Sequence, residues 1–208
     1  MIDYHEKLVL TIAPLVWDDP PEYGEEWEYE GGPRVPDWLK DLVCSDAFLE
    51  EKRSKVEELI TDEAQSESDP FVAWTVLALS KLHKDLDELR YQGYLGRDIH
   101  HHLGFHGGDK DFFNKMAAYV HRNGALSSGY LDYCRRTNSK GVSHLGKYGD
   151  QIITLIALAA GCRQYVPPKK AKLLGIELPY KTHTRKKHEK QAECASTDSV
   201  QQAEGLNV

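Results

Sequence analysis

The chain has 208 residues, 40% hydrophobic and 10% aromatic, with 33 acidic residues against 26 Lys and Arg and a net charge of −7. This composition supports a buried core and excludes wholesale disorder. The cysteines are widely spaced and form no CxxC pair, so neither a zinc ribbon nor a thioredoxin-type site is indicated. Four cysteines in 208 residues also do not make a disulfide scaffold. They are Cys44, Cys134, Cys162 and Cys194. A reducing cytoplasm is therefore the expected location.

Charge is distributed unevenly along the chain. Residues 1–66 carry 6 basic and 18 acidic residues, whereas residues 67–168 carry 12 and 10. Residues 169–190 carry 8 basic and 2 acidic residues, and the last 18 residues carry 0 and 3. Net charge governs association and solubility rather than packing. The pattern therefore predicts two oppositely charged interaction surfaces beside a near-neutral body.

The N-terminal region is predicted to be a short helix followed by an acidic loop. The helix covers residues 5–13 and ends at Pro14. Residues 17–36 are rich in Pro, Gly and acidic residues, which favours a loop. The loop also contains four aromatic residues, Trp17, Tyr23, Trp27 and Tyr29. They either pack onto the body of the protein or form a partner surface for a basic protein.

Three helices are predicted in the next part of the chain. Asp37 caps a short helix that ends at Val43. Ser45 is expected to cap a second helix that runs to about Asp62. Its apolar stripe is formed by Phe48, Leu49, Lys52, Val56, Leu59 and Ile60. The third helix begins at Asp69-Pro70, and its first half is apolar nearly all round, which predicts a central position in the core.

Three more helices complete the predicted fold. The first begins at Asp109 and continues through Val120, the second starts at Ser127 or Ser128, and the last covers residues 143–162. Sustained two-residue alternation is absent from the sequence, and the most apolar run, residues 152–162, is too short to span a bilayer. We therefore predict an all-α fold, a compact multi-helix bundle without a membrane partner.

Three regions are expected in this fold. Residues 1–36 form the short helix and the acidic aromatic loop, and residues 37–168 form the helical domain. Residues 169–208 form a basic and then polar tail that is expected to be largely flexible.

A histidine cluster is the first candidate for chemistry. His100, His101, His102 and His106 lie within seven residues. On a helix the workable ligand set is Asp98, His102 and His106, at positions i, i+4 and i+8. Imidazole and carboxylate ligands suit Zn²⁺ or Mn²⁺. Nearby glycines disfavour a continuous helix, so a hydrogen-bonded structural turn and a phosphate- or partner-contacting loop remain alternatives.

A second candidate is Gly149-Asp150, which leads into an apolar helix. This pattern loosely resembles motifs of the all-α nucleotide pyrophosphohydrolases and of the ribonuclease III family, which hold magnesium with clustered carboxylates. The carboxylate that these families have one turn earlier falls on Lys147 in one alignment and on Gly146 in the other. We therefore interpret Asp150 as a helix-start acid favoured by the helix dipole.

Basic residues form the third group of candidates. Residues 112–140 have the outline of a helix-turn-helix, with Arg135 and Arg136 at the end of the second helix. The tail could neutralise several phosphates, or it could fold back onto the acidic N-terminal third. Its candidate contacts are Lys169, Lys170, Lys172, Arg185, Lys186 and Lys187.

These features favour a non-enzymatic helical regulatory or adaptor protein that engages a protein–nucleic-acid assembly. We expect a protein partner, nucleic-acid contact through the basic tail, and no cofactor. The alternative is a metal-dependent hydrolase of a phosphate-containing substrate, built on the histidine segment with Zn²⁺ or Mn²⁺. A structural subunit of an assembly is a third interpretation.

Overall fold

The structure is a computed structural model that describes residues 32–91 and 103–178. The chain divides into two units, Met1–Leu178 and Pro179–Val208, and every described residue belongs to the first. The predicted N-terminal helix and most of the acidic loop lie outside the described residues. The same holds for Asp98, His100, His101, His102 and the basic residues 185–187.

The described part of the chain is helical, which confirms the predicted all-α class. Its seven α-helices are α1 Asp37–Val43, α2 Leu49–Thr61, α3 Ser68–Tyr91, α4 Lys110–Asn123, α5 Ser128–Arg135, α6 Gly149–Ala159 and α7 Pro168–Leu174. Short 3-10 turns at Gly146–Tyr148 and Arg163–Tyr165 flank α6. Extended pairing within the described ranges is limited to one isolated antiparallel bridge between Thr137 and Ser143. None of the helices in these ranges is long and apolar enough to cross a membrane.

Two helices form the centre of the bundle. Every residue of α6 except Asp150 is buried, and α6 contacts α1, α2, α3 and α7. A helix that is apolar all round is stable only when it is covered on all sides, which explains this position. The first half of α3 is also buried, as predicted, and α3 packs along α4.

Aromatic side chains join α4 to its neighbours. The Phe113 ring is fully buried and stacks on Phe105 with a centroid distance of 4.8 Å. Tyr133 of α5 and Tyr148 before α6 meet Phe113 edge-on at 6.2 and 6.0 Å. Edge-on and offset-stacked pairs are the favoured aromatic geometries. One buried ring therefore links four segments of the chain.

The start of α2 differs from the sequence prediction. The helix begins at Leu49, and Phe48 has an extended backbone that takes its side chain out of the apolar stripe. Phe48 is 80% exposed as a result. Ser45 accepts a hydrogen bond from the Ala47 N–H, but it lies too far upstream to cap α2. Lys52, a predicted member of the stripe, is buried.

The helix predicted over residues 143–162 is shorter in the structure. Ser143 instead pairs with Thr137, and its N–H donates to the Glu57 carboxylate at 2.6 Å. Gly146 faces the same carboxylate so closely that a Cβ there would lie 1.6 Å from Glu57 Oε2. The tight approach of α2 to this loop thus delays the start of α6 to Gly149.

The C-terminal boundary also differs from the prediction. Residues 168–174, which the sequence assigned mostly to the tail, form α7. The helix starts at Pro168, a residue suited to the first helical position. Ala171 and Leu174 are buried in the main core. The helical body therefore continues to Leu174, and Ile176 and Leu178 after it still pack against the core.

Candidate functional site

The glycine-rich segment 103–109 is attached to the body through its backbone. The Gly104 N–H donates to Gln151 Oε1 at 2.7 Å, and Gln151 Nε2 donates to the Gly104 carbonyl at 3.1 Å. The Phe105 N–H donates to His83 Nδ1 at 3.1 Å. Gly104 has a φ of +79°, and a Cβ there would lie 2.7 Å from His83 Nδ1. Both facts require glycine at this position.

A second set of contacts holds the end of this segment. The Tyr148 hydroxyl accepts a hydrogen bond from the His106 N–H at 3.1 Å and donates one to Asp109 Oδ2 at 2.6 Å. Lys147 forms an ion pair with the same carboxylate. The His106 ring stacks on Tyr148 with a centroid distance of 5.3 Å. The segment is thus a hydrogen-bonded turn in which residues 103–105 are buried and residues 106–108 are exposed.

The protonation states in this network follow from burial and hydrogen bonding. Burial alone would raise the pKa of Asp109, but the hydrogen bonds from Lys147 and Tyr148 outweigh it and lower that pKa. Burial and the hydrogen bond to Asp109 raise the pKa of Tyr148 far above its ordinary range. The Tyr148 hydroxyl is therefore held in its neutral form, in which it accepts from the His106 N–H and donates to Asp109.

Asp109→Asn should lower the free energy of unfolding by about 1 kcal/mol at neutral pH. The folded pKa of Asp109 lies below its ordinary value of 3.8, so the ionised carboxylate is favoured in the folded state. Its contribution is present above that value and is lost as pH falls through the folded pKa. Denaturant unfolding at several pH values measures the difference between wild type and variant.

Asp111→Asn is the matched control, because Asp111 is an exposed acid in the first turn of the same helix. It should change stability by no more than about 0.5 kcal/mol at neutral pH. A deficit of Asp109→Asn that stays constant into strong acid would show that the ionised carboxylate is not the stabilising group.

The predicted metal ligands are only partly described. His106 is exposed beside Tyr148, whereas Asp98 and His102 lie outside the described residues. Over residues 32–91 and 103–178, no group of three His, Cys, Asp or Glu side chains is arranged to hold a metal ion. The metal site, and with it the hydrolase alternative, stays a prediction that metal analysis of the purified protein would test.

Asp150 lies in the first turn of α6, as its interpretation as a helix-start acid predicted. Its carboxylate forms a bidentate ion pair with Arg53 of α2, with Nε–Oδ1 and Nη2–Oδ2 distances of 2.5 and 2.9 Å. A guanidinium thus occupies both oxygens that a magnesium ion would use. The position one turn earlier holds Lys147, which pairs with Asp109.

The two arginines at the end of α5 have different environments. Arg135 is 9% exposed, donates to the Ile60 carbonyl at 3.0 Å and to Ser68 Oγ at 2.7 Å, and pairs with Asp69. It connects α5 to the end of α2 and the start of α3. Arg136 is exposed. Of these two arginines, both predicted to contact nucleic acid, only Arg136 therefore faces solvent.

The cations of α7 and of the turn before it form an exposed surface. Lys169 and Lys172 point away from the face that buries Ala171 and Leu174, and Arg163 is exposed one turn before the helix. We call Arg163, Lys169 and Lys172 the α7 basic surface. None of the three forms an ion pair with another described residue. Burial lowers the pKa of the half-buried Lys170 beside them.

A groove of about 390 Å³ lies between α1 and α2. Trp38, which is 40% exposed, donates from its indole N–H to Glu67 at 2.7 Å and forms one wall. The lining residues are Trp38, Leu42, Glu51, Lys55, Glu58, Leu59 and Gln65. Sequence reasoning missed this groove, although Trp38 and Leu42 at i, i+4 were a visible signal. The aromatic partner surface that it predicted lies outside the described residues.

Comparisons of the chain with models of known protein families, with curated proteins and with solved structures find no match.

Proposed function

We propose that this chain is a non-enzymatic helical adaptor that engages a protein–nucleic-acid assembly. The observation that carries the proposal is the α7 basic surface, whose three cations are exposed, in a chain whose acidic and basic residues lie in different segments. Residues 37–69 contain eleven acidic and four basic residues, whereas residues 110–178 contain eleven basic and four acidic residues. A protein with two oppositely charged regions can contact nucleic acid with one and basic protein segments with the other.

The α7 basic surface is the proposed nucleic-acid contact. Its three cations are exposed, and in the sequence a second basic run follows at residues 181–190. Exposed Lys and Arg bind phosphates without sequence preference, and the release of counterions makes such binding depend on salt. Arg135 is left out of the contact because its guanidinium is used inside the bundle.

Replacing Arg163, Lys169 and Lys172 together with alanine should weaken binding to duplex DNA and reduce its dependence on salt. Each lost phosphate contact lowers the slope of log K against log salt concentration by about 0.9. The triple variant should therefore lose roughly 2 to 3 units of slope. Fluorescence anisotropy of a labelled duplex, titrated at several salt concentrations, measures this slope.

The matched control removes the same amount of charge from lysines that lie outside the α7 basic surface. Lys40, Lys55 and Lys81 are partly exposed and each pairs with an acid of its own helix. Their triple alanine variant should keep the wild-type slope. Equal losses in both variants would assign the effect to net charge alone, and an unchanged slope in the α7 variant would rule out this surface.

The acidic segment supplies the proposed protein contact. A lysine-rich peptide serves as the probe, since the groove beside Trp38 is bordered by Glu51 and Glu58. The double variant Glu51→Gln, Glu58→Gln should weaken binding of this peptide, measured by fluorescence anisotropy of the labelled peptide. Undiminished peptide binding would remove the groove from the proposal. The nucleic-acid contact would then be judged by the salt dependence of duplex binding alone.

A further inference from the structure

The groove between α1 and α2 has one aromatic wall that is held in a fixed position. The Trp38 indole lines the groove, and its N–H donates to Glu67 Oε2 at 2.7 Å. The side chain is therefore anchored at its nitrogen, although Trp38 is 40% exposed. Tryptophan is the aromatic residue whose ring face attracts a cation most strongly. A positively charged group that stacks on this indole meets a wall that is already in place.

The charged residues of the groove do not balance one another. Glu51, Lys55 and Glu58 line it, and all three residues are exposed. Lys55 Nζ lies 2.6 Å from Glu58 Oε2, so these two charges offset each other. Lys55 is thereby committed to Glu58, and Glu51 supplies the negative charge that remains. The groove is therefore complementary to a ligand group with one positive charge.

The size of the groove and its apolar residues limit the shape of the group that fits. Its volume of about 390 Å³ lies near the lower end of the range of about 300 to 1,000 Å³ that is usual for ligand sites. It therefore suits one long side chain better than the face of a whole helix. Leu42 and Leu59 also line the groove, and they suit the aliphatic stem of such a side chain.

We propose that the groove binds one arginine side chain of a basic partner protein, with the guanidinium stacked on Trp38 and paired with Glu51. The site rests on the proposed adaptor function, since it names the side chain that the acidic segment takes from its protein partner. The aliphatic stem of the arginine packs against Leu42 and Leu59. The Lys55–Glu58 ion pair borders the site and keeps a second cation out of it.

Arginine fits these walls better than lysine or methylated lysine does. A guanidinium is planar, stacks on aromatic faces and is more weakly hydrated than an ammonium, so it gains more from contact with an indole. Its fork of N–H donors also matches the two oxygens of a carboxylate. Methylated lysine is recognised by a cage of aromatic side chains. Among the described residues that line the groove, Trp38 is the only aromatic one, which is too few for such a cage.

Two labelled peptides that differ at one position test the proposal by fluorescence anisotropy with the full chain. One is the lysine-rich peptide, and the other has arginine in place of its central lysine. The arginine peptide should bind more tightly by roughly two- to fivefold, the size of a stacking contribution at an exposed site. Equal affinities would overturn the arginine site but leave the acidic contact standing. Failure of both peptides to bind would overturn the arginine site together with the proposed protein contact.

Trp38→Leu separates stacking from charge. It keeps Glu51 and Glu58, so the lysine peptide should bind nearly as before, whereas the preference for the arginine peptide should disappear. Phe48→Leu is the matched control, because it makes the same aromatic-to-aliphatic change at a residue that is 80% exposed and outside the groove lining. It should leave the preference intact. A preference that survives in Trp38→Leu, or that disappears in both variants, would overturn the proposal.

A third variant should have an effect of the opposite sign. Lys55→Met keeps an unbranched side chain but removes the ammonium that pairs with Glu58. The second carboxylate is then available to the ligand, so both peptides should bind more tightly by roughly twofold or more. Unchanged or weaker binding in Lys55→Met would show that the charges lining the groove do not contact the peptide, and the proposed site would fall.

Discussion

Replacing Phe113 with alanine should lower the free energy of unfolding by about 3–5 kcal/mol, the usual range for a large aromatic residue in a core. The ring is fully buried and contacts Phe105, Tyr133 and Tyr148. The substitution removes these contacts and leaves a cavity that three different segments would have to fill. Because the segments are anchored by other hydrogen bonds, they can collapse only in part. Urea unfolding followed by circular dichroism measures the loss.

Phe48→Ala is the matched control for this prediction. It deletes the same side chain from a position that is 80% exposed, so its effect should stay within about 0.5 kcal/mol. A conservative second variant, Phe113→Leu, should cost less than Phe113→Ala because it refills part of the volume. Similar effects of Phe113→Ala and Phe48→Ala would contradict the described core.

Arg135→Ala should lower the free energy of unfolding by about 2–4 kcal/mol. The guanidinium donates to the Ile60 carbonyl and to Ser68 Oγ, both of which are buried. Removing it leaves these acceptors without their donor and deletes the packed aliphatic part of the side chain. The ion pair with Asp69 adds little, because Asp69 is 59% exposed. Denaturant unfolding at neutral pH measures the cost.

Arg136→Ala provides the control for Arg135. It removes the same charge from the next position, where the side chain is exposed, and should change stability by no more than about 0.5 kcal/mol. Arg135→Lys should restore only part of the loss, because an ammonium cannot present the planar fork of donors that reaches both acceptors. Full stability in Arg135→Lys would mean that charge alone is required there.

Helix type and approximate position could be predicted from local pattern. The apolar spacing of residues 49–60 and the continuous apolar run of α6 each correspond to an observed helix. The errors occurred where a distant segment intervenes. The Glu57 carboxylate accepts a hydrogen bond from the Ser143 N–H, and Ser143 is not helical. Ala171 and Leu174 of α7 are buried in the core. Such competition comes from tertiary contacts, which propensity does not contain.

Which candidate cations are exposed depended on tertiary structure more than the positions of the helices did. Counting charge treats Lys52, Arg53 and Arg135 as equal contributions to a surface. In the folded protein Lys52 is buried, Arg53 pairs with Asp150, and Arg135 braces the bundle. Lys169 and Lys172 of α7, by contrast, are exposed. Exposure of a charge depends on what packs beside it, and a linear count cannot express that.

The amino-acid sequence by itself determined the all-α class and the order of acidic and basic regions, because helix periodicity and charge order involve only near neighbours. Tertiary structure alone decided that the end of α1 lies beside the turn that follows α6, where Lys52 donates to the Val43 and Ser45 carbonyls and lies over the Tyr165 ring. It also decided which cations face solvent. Both outcomes follow from how the apolar faces of the seven described helices cover one another, which no single segment determines.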